Sequence, residues 1–183
     1  TYLFEKAHAL KYDYYHLISG ADLPLKSNKE IDAFFEQHKG TEFILYDEDK
    51  LKNDPEITRR AKYYHFLQNY RRRYTQKWKN EFFTFLERVS LVAQIMFRVN
   101  RVKKLDWTIK YGSNWVSITD DLVAEIIKQK DKVQKVFSCT NCADELFVQT
   151  VAYNCGFKNK IYTSECGMAE NVRFIDWSRG KNG

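Results

Sequence analysis

The sequence predicts an α/β domain with a mainly parallel sheet flanked by helices, on three observations. Short runs rich in aromatic and β-branched residues alternate with segments of helical periodicity along the chain. One stretch, 56–110, holds neither Gly nor Pro and marks a long helical insertion at about 56–104. The 183 residues, 44% of them hydrophobic, allow one sizeable core, and no repeat, low-complexity tract or linker divides them.

The elements follow in order. Residues 12–19 read as a buried strand that runs into the loop Ser19-Gly20-Ala21-Asp22-Leu23-Pro24. Ser27-Asn28-Lys29-Glu30 has the pattern of a capping box, and Ile31, Phe34 and Phe35 supply the inner stripe of the helix behind it. Residues 42–46 read as a second strand. In the insertion, Tyr63, Phe66, Leu67, Tyr70, Tyr74, Trp78, Phe82, Phe85 and Val89 recur in steps of one, three and four, which predicts one long helix, or two meeting near Lys77, packed by that stripe. Residues 107–111 read as a strand closed by Gly112. Thr119 is a plausible N-cap, with Asp120 and Asp121 favouring the helix dipole and Leu122, Val123, Ile126 and Ile127 as the apolar face. Residues 135–138 read as a short strand, 144–154 as a helix, and 159–163 and 173–177 as late strands.

Charge and cysteine content narrow the function classes. The formal net charge of +6 would suit nucleic acid, an anionic membrane surface or a phosphate-bearing substrate, but 24 acidic residues are mixed among the 30 scattered basic ones, and no nucleic-acid partner is expected. The densest basic spot, Arg71-Arg72-Arg73, reads as a solvated helix face before it reads as a nucleic-acid patch. No run approaches the roughly 20 apolar residues of a membrane span. Thr1 opens into an amphipathic stretch rather than a signal peptide, and cellular location is not legible. Cys139 and Cys142 have C-x-x-C spacing, but Cys155 and Cys166 do not form a second close pair, so four free, mostly buried thiols are expected rather than a zinc or redox site. Neither G-x-x-x-x-G-K-[ST] nor G-x-G-x-x-G occurs. Aromatic residues make up 16% of the chain, which suits a carbohydrate site and equally an aromatic-rich core. His16, inside a strand pattern, reads as a hydrogen-bonded structural histidine.

Four segments, in order, carry a resemblance. They are Tyr14-Tyr15-His16-Leu17-Ile18-Ser19-Gly20-Ala21-Asp22-Leu23-Pro24-Leu25-Lys26, Gly112-Ser113-Asn114-Trp115-Val116-Ser117-Ile118-Thr119, Asp144-Glu145-Leu146-Phe147-Val148-Gln149-Thr150 and Arg173-Phe174-Ile175-Asp176-Trp177. Together they resemble the core-2/I-branching N-acetylglucosaminyltransferases, a family that also holds peptide O-xylosyltransferases. The likeness is good near both ends and poor over about 41–107.

The resemblance implies a GT-A-like fold and an inverting transfer from a UDP-sugar donor to a glycan acceptor, with a cytoplasmic location if bacterial and a membrane-associated or Golgi-lumenal parent if eukaryotic. It implies that Glu145 is the general base. An acceptor hydroxyl is a poor nucleophile and needs one positioned carboxylate to take its proton. From the residues alone, Asp144 and Glu145 also fit a pair that complements a helix N-terminus. Asp144 would cap the helix or orient Glu145. Asp22 would bind sugar or nucleotide hydroxyls, or hold its loop by an Asx-type bond. Gly112 and Ser113 give close backbone approach and a small hydroxyl. Trp115 and Trp177 would stack on sugar faces or belong to the core, with family position favouring Trp177 on the acceptor. No Asp-x-Asp pair occurs near Asp22, which agrees with a family that works without metal or other cofactor. The resemblance also implies a single partial catalytic domain, 1–183, the middle of a longer one. Such a piece would keep the acceptor side and the base while lacking much of the donor side, so a non-catalytic glycan- or partner-binding module is the alternative.

Overall fold

The computed structural model describes residues 1–70, 73–164 and 169–175. Among them are α1 (Tyr2–His8), β1 (Tyr14–His16), α2 (Asn28–Gln37), α3 (Glu48–Asn53), α4 (Pro55–Lys62), α5 (Lys77–Met96), β2 (Ser117–Thr119), α6 (Asp120–Lys128), α7 (Lys130–Phe137) and α8 (Phe147–Asn154).

The mainly parallel sheet is not what the described residues form. The one ladder pairs β1 with β2 antiparallel, Tyr15 opposite Ile118. Isolated bridges widen this layer: Phe43 lies antiparallel to Ser117, and Glu42 lies parallel to Ile161. Residues 107–111 are not a strand, because side chains of α8 take the place of a neighbouring strand. The Thr108 amide donates to Asn154 Oδ1 at 2.9 Å and the Lys110 amide to Thr150 Oγ1 at 3.0 Å. Residues 135–138, expected as a strand, close α7 instead. Val133, Val136 and Phe137 follow the helical spacing and are all buried.

Other local readings hold. Ser27 and Glu30 form the capping box of α2. Phe34 and Phe35 of α2 then pack on Phe43, with ring centroids 5.5 and 5.0 Å away, and Phe35 also meets Tyr14 at 4.9 Å. Thr119 caps α6 by accepting from the Leu122 amide. The core lies between the sheet layer, α6 and α8, where Ile44, Ile118, Leu122, Ile126, Leu146 and Val151 have no exposed surface. Each such side chain contributes about 1.5–3 kcal/mol by leaving water.

The insertion departs most from the reading. Among the described residues it holds the helices α4 and α5 and the 3-10 turn Val102–Lys104, with irregular chain at 63–70 and 73–76 between the two helices. Its apolar stripe points the other way: Trp78, Phe82, Phe85 and Val89 are 65, 52, 61 and 49% exposed. A polar ladder holds α5 instead, on positions seven apart. Asn80 donates to the Tyr74 carbonyl and accepts from its amide. Glu87 accepts from the Leu67 amide and lies 3.0 Å from His65 Nδ1. Gln94 pairs with both backbone groups of Tyr64. Irregular backbone must find partners when it is covered, and this ladder supplies them at Tyr64, Leu67 and Tyr74, so the polar face turns inward. Arg71 and Arg72 lie outside the described residues.

Of the cysteines, Cys139 and Cys155 are half-buried free thiols, Cys142 is a free exposed one, and Cys166 lies outside the described residues. Exposure of Cys142 corrects its expected burial. Cys139 and Cys142 both take left-handed backbone, φ 57° and 49°, so the C-x-x-C segment is a tight double turn.

Candidate functional site

Glu145 ends a single 3-10 turn, Ala143–Glu145, entered from the left-handed Cys142. It precedes α8 rather than sitting in the first turn of that helix. The turn is tied to the motif at 112–115 by its own backbone: the Gly112 amide donates to the Glu145 carbonyl at 3.0 Å. Gly112 is required there, because a Cβ at this position would lie 1.8 Å from the Leu45 carbonyl oxygen of the neighbouring segment. Asn114 Nδ2 donates to Asp144 Oδ2 at 3.3 Å, a second tie between the two segments.

The Glu145 side chain meets a cation that sequence reading missed. Arg60 Nη1, on α4, donates to Glu145 Oε2 at 2.6 Å. The two side chains are 23 and 32% exposed, so the pair is sheltered yet within reach of a solute. Burial works against the Arg60 charge, but the Cys142 thiol and the Glu145 carboxylate outweigh it and hold its pKa above the ordinary guanidinium value. The Tyr111 phenol is pushed up, first by burial and then by the charge of Glu145 beside it. Nothing in the local sequence around Arg60 marks it, since it lies 85 residues from its partner. Asn114 could have been found, for it stands inside the quoted motif.

The remaining predicted residues divide. Gly112, Ser113, Asp144 and Glu145 come together. Ser113 is occupied locally: its hydroxyl accepts from the Trp115 amide and its carbonyl from Gln149 Nε2. Trp115 is half-buried, and its carbonyl accepts from Asn171 Nδ2 at 3.1 Å. Asp22 closes its own loop. The Ser19 amide donates to Oδ2 and the Ser19 hydroxyl to Oδ1, both at 2.8 Å. These bonds hold the Asp22 pKa below the ordinary carboxylate value. Among the hydrogen bonds of the described residues, none links Asp22 to Glu145. Asp22 instead neighbours a second polar group in which Arg173 Nη2 donates to Ser117 Oγ at 2.9 Å and His16 Nδ1 meets the same oxygen at 2.8 Å. His16 is thus hydrogen-bonded as expected, and burial followed by the Arg173 charge pushes its pKa down. Trp177 lies outside the described residues. Two surface depressions, of about 250 and 540 Å³, lie along 153–163, and Glu145 lines neither.

This is a carboxylate gripped by a guanidinium, beside a phenol and a glycine-mediated close approach of two chain segments. The chain belongs to the family of Core-2/I-Branching enzymes, whose family model matches residues 3–183. It is therefore a glycosyltransferase of the core-2/I-branching kind, a family that implies a sugar donor and a glycan acceptor. Neither the curated proteins nor the solved structures contain a match. No helix among the described residues is long and apolar enough to cross a membrane.

Proposed function

We propose that this chain provides the acceptor side and the general base of an inverting, metal-independent transfer of N-acetylglucosamine. The donor is a UDP-sugar, the product a β-linked glycan, and the domain a GT-A-like one. The observation that carries the reading is Glu145, one oxygen fixed by Arg60 and the side chain 32% open. As the acceptor oxygen attacks the anomeric carbon, its proton passes to Glu145 and the bond to the UDP oxygen breaks. Arg60 fixes the carboxylate's orientation, which general-base transfer over a hydrogen-bond distance requires. Metal independence is supported by donor chemistry, since both Asp22 oxygens are taken by Ser19.

The test is transfer with UDP-N-acetylglucosamine and with UDP-xylose, the latter covering the xylosyl variant. Glu145→Gln keeps the shape and removes the base, and should lower turnover by about 10²–10⁴-fold. Near-normal turnover in Glu145→Gln would refute the assignment of the base.

The same ion pair also favours a second reading. A carboxylate already bound at 2.6 Å can be a clasp between α4 and the turn before α8. The chain would then be a glycan- or partner-binding module. Calorimetry decides between them: glycan binding without UDP binding supports the module.

A further inference from the structure

We infer that α5 is a docking face for an anionic membrane surface. Its outward side presents Trp78, Phe82, Phe85, Val89, Val92 and Met96, spaced alternately four and three apart and 49–75% exposed. These positions form one unbroken stripe along the helix. No residue of α5 belongs to the main core cluster, and its inward side is committed to the polar ladder on 64–74. The stripe therefore cannot turn inward without breaking that ladder.

Charge identifies the occupant. Between residues 73 and 104 the exposed cations are Arg73, Lys77, Arg88, Arg98, Lys103 and Lys104. The one exposed carboxylate there is Glu81, which pairs with Lys77 at 3.8 Å and leaves the other cations in excess, since Glu87 is buried against His65. An apolar stripe with aromatic residues, with cations before and after the helix and Arg88 on it, is the arrangement that lies in the headgroup plane of an anionic bilayer, with the rings at the acyl boundary and the long basic side chains reaching the phosphates. A second copy of the chain fits worse, because an antiparallel partner that set Phe85 on Val89 would also set Arg88 beside its own counterpart.

The experiment is sedimentation of the full chain with vesicles of phosphatidylcholine alone and of an equal mixture of phosphatidylcholine and phosphatidylglycerol. Binding to the mixed vesicles is expected, at least about tenfold stronger than to phosphatidylcholine and weakened by added salt. Phe85→Ser combined with Val92→Ser should abolish it with unchanged circular dichroism, since both side chains are already in solvent. An Arg88→Glu variant, which leaves the stripe intact, should weaken it severalfold. Three results overturn the inference: no binding to mixed vesicles, equal binding to both vesicle types, or a concentration-dependent dimer in light scattering that the Phe85 and Val92 substitutions dissolve.

Discussion

Glu42 carries no exposed surface and joins two segments of the sheet layer to the start of α6. Its carboxylate accepts from the Thr119 amide at 2.9 Å and from the Thr119 hydroxyl, the same hydroxyl that caps α6. Burial raises its pKa above the ordinary carboxylate value, and the Thr119 bonds only partly oppose this. Between its unfolded and folded pKa the folded chain therefore holds a proton that the unfolded chain has released. Stability from this group is fully present below the unfolded pKa and is lost as pH rises through the folded one. Glu42→Gln removes the titration and keeps one of the two acceptor oxygens. Urea midpoints measured from acid to neutral pH should fall for the parent relative to the variant, and parallel profiles would count against the account. Gly112 makes the opposite point, for its role is to be absent. Gly112→Ala drives a methyl group into backbone at Leu45, and overpacking of this kind costs about 1–3 kcal/mol or more. A lowered denaturation midpoint, with loss of whatever activity Glu145 supports, is the expected result. Sequence reading singled out Gly112 and Glu145 because they stand in short motifs, and the fold brings those two motifs together. It could not find Arg60, whose partner is set only by the fold, and of its two options for Asp22 the Ser19 bonds supply the loop contact.

The helices show where periodicity suffices. The cap at Ser27, the cap at Thr119 and the apolar faces behind both are local patterns, and they were legible for that reason. At α5 the spacing was read correctly and the direction was not. An apolar stripe in steps of three and four predicts a helix, but it faces the core only if no other face has a stronger claim. Asn80, Glu87 and Gln94, seven apart, have that claim through the backbone of 64–74. Truncating the ladder should therefore cost more than truncating the stripe. Glu87→Ala leaves the buried His65 ring and the Leu67 amide without their partner and should lower stability by about 2 kcal/mol. Phe85→Ala, at an exposed position, should change it by less than about 0.5 kcal/mol. Thermal unfolding of the two variants side by side checks the order, and a reversed order would restore the inward stripe. Short strand patterns such as 107–111 and 135–138 failed for another reason. Their few residues fit a strand, an extended segment bonded by side chains, or a helix end, and only the partner decides.

At the scale of the molecule, the described chain has two parts with different stabilising terms. The sheet layer, α6 and α8 share an apolar core with several side chains at zero exposure. The part that carries α5 is attached to it through the His65 amide bonded to the Cys139 carbonyl at 2.7 Å and through Arg101. The Arg101 guanidinium donates to the Val136 and Ser138 carbonyls at the end of α7 while stacking on Tyr64. Burial of apolar surface dominates local resistance to opening, and α5 supplies almost none of it. Amide exchange followed by mass spectrometry should accordingly show 77–96 exchanging through openings of lower free energy than 120–128 or 147–154. The same measurement bears on the membrane inference: mixed anionic vesicles should slow exchange in 77–96 while leaving α8 unchanged. Slow exchange in 77–96 without vesicles would mean that the apolar stripe is already covered in the free protein, and the face could not then be a docking surface. Fast exchange that vesicles do not alter would keep α5 as a loosely held arm and remove its proposed partner.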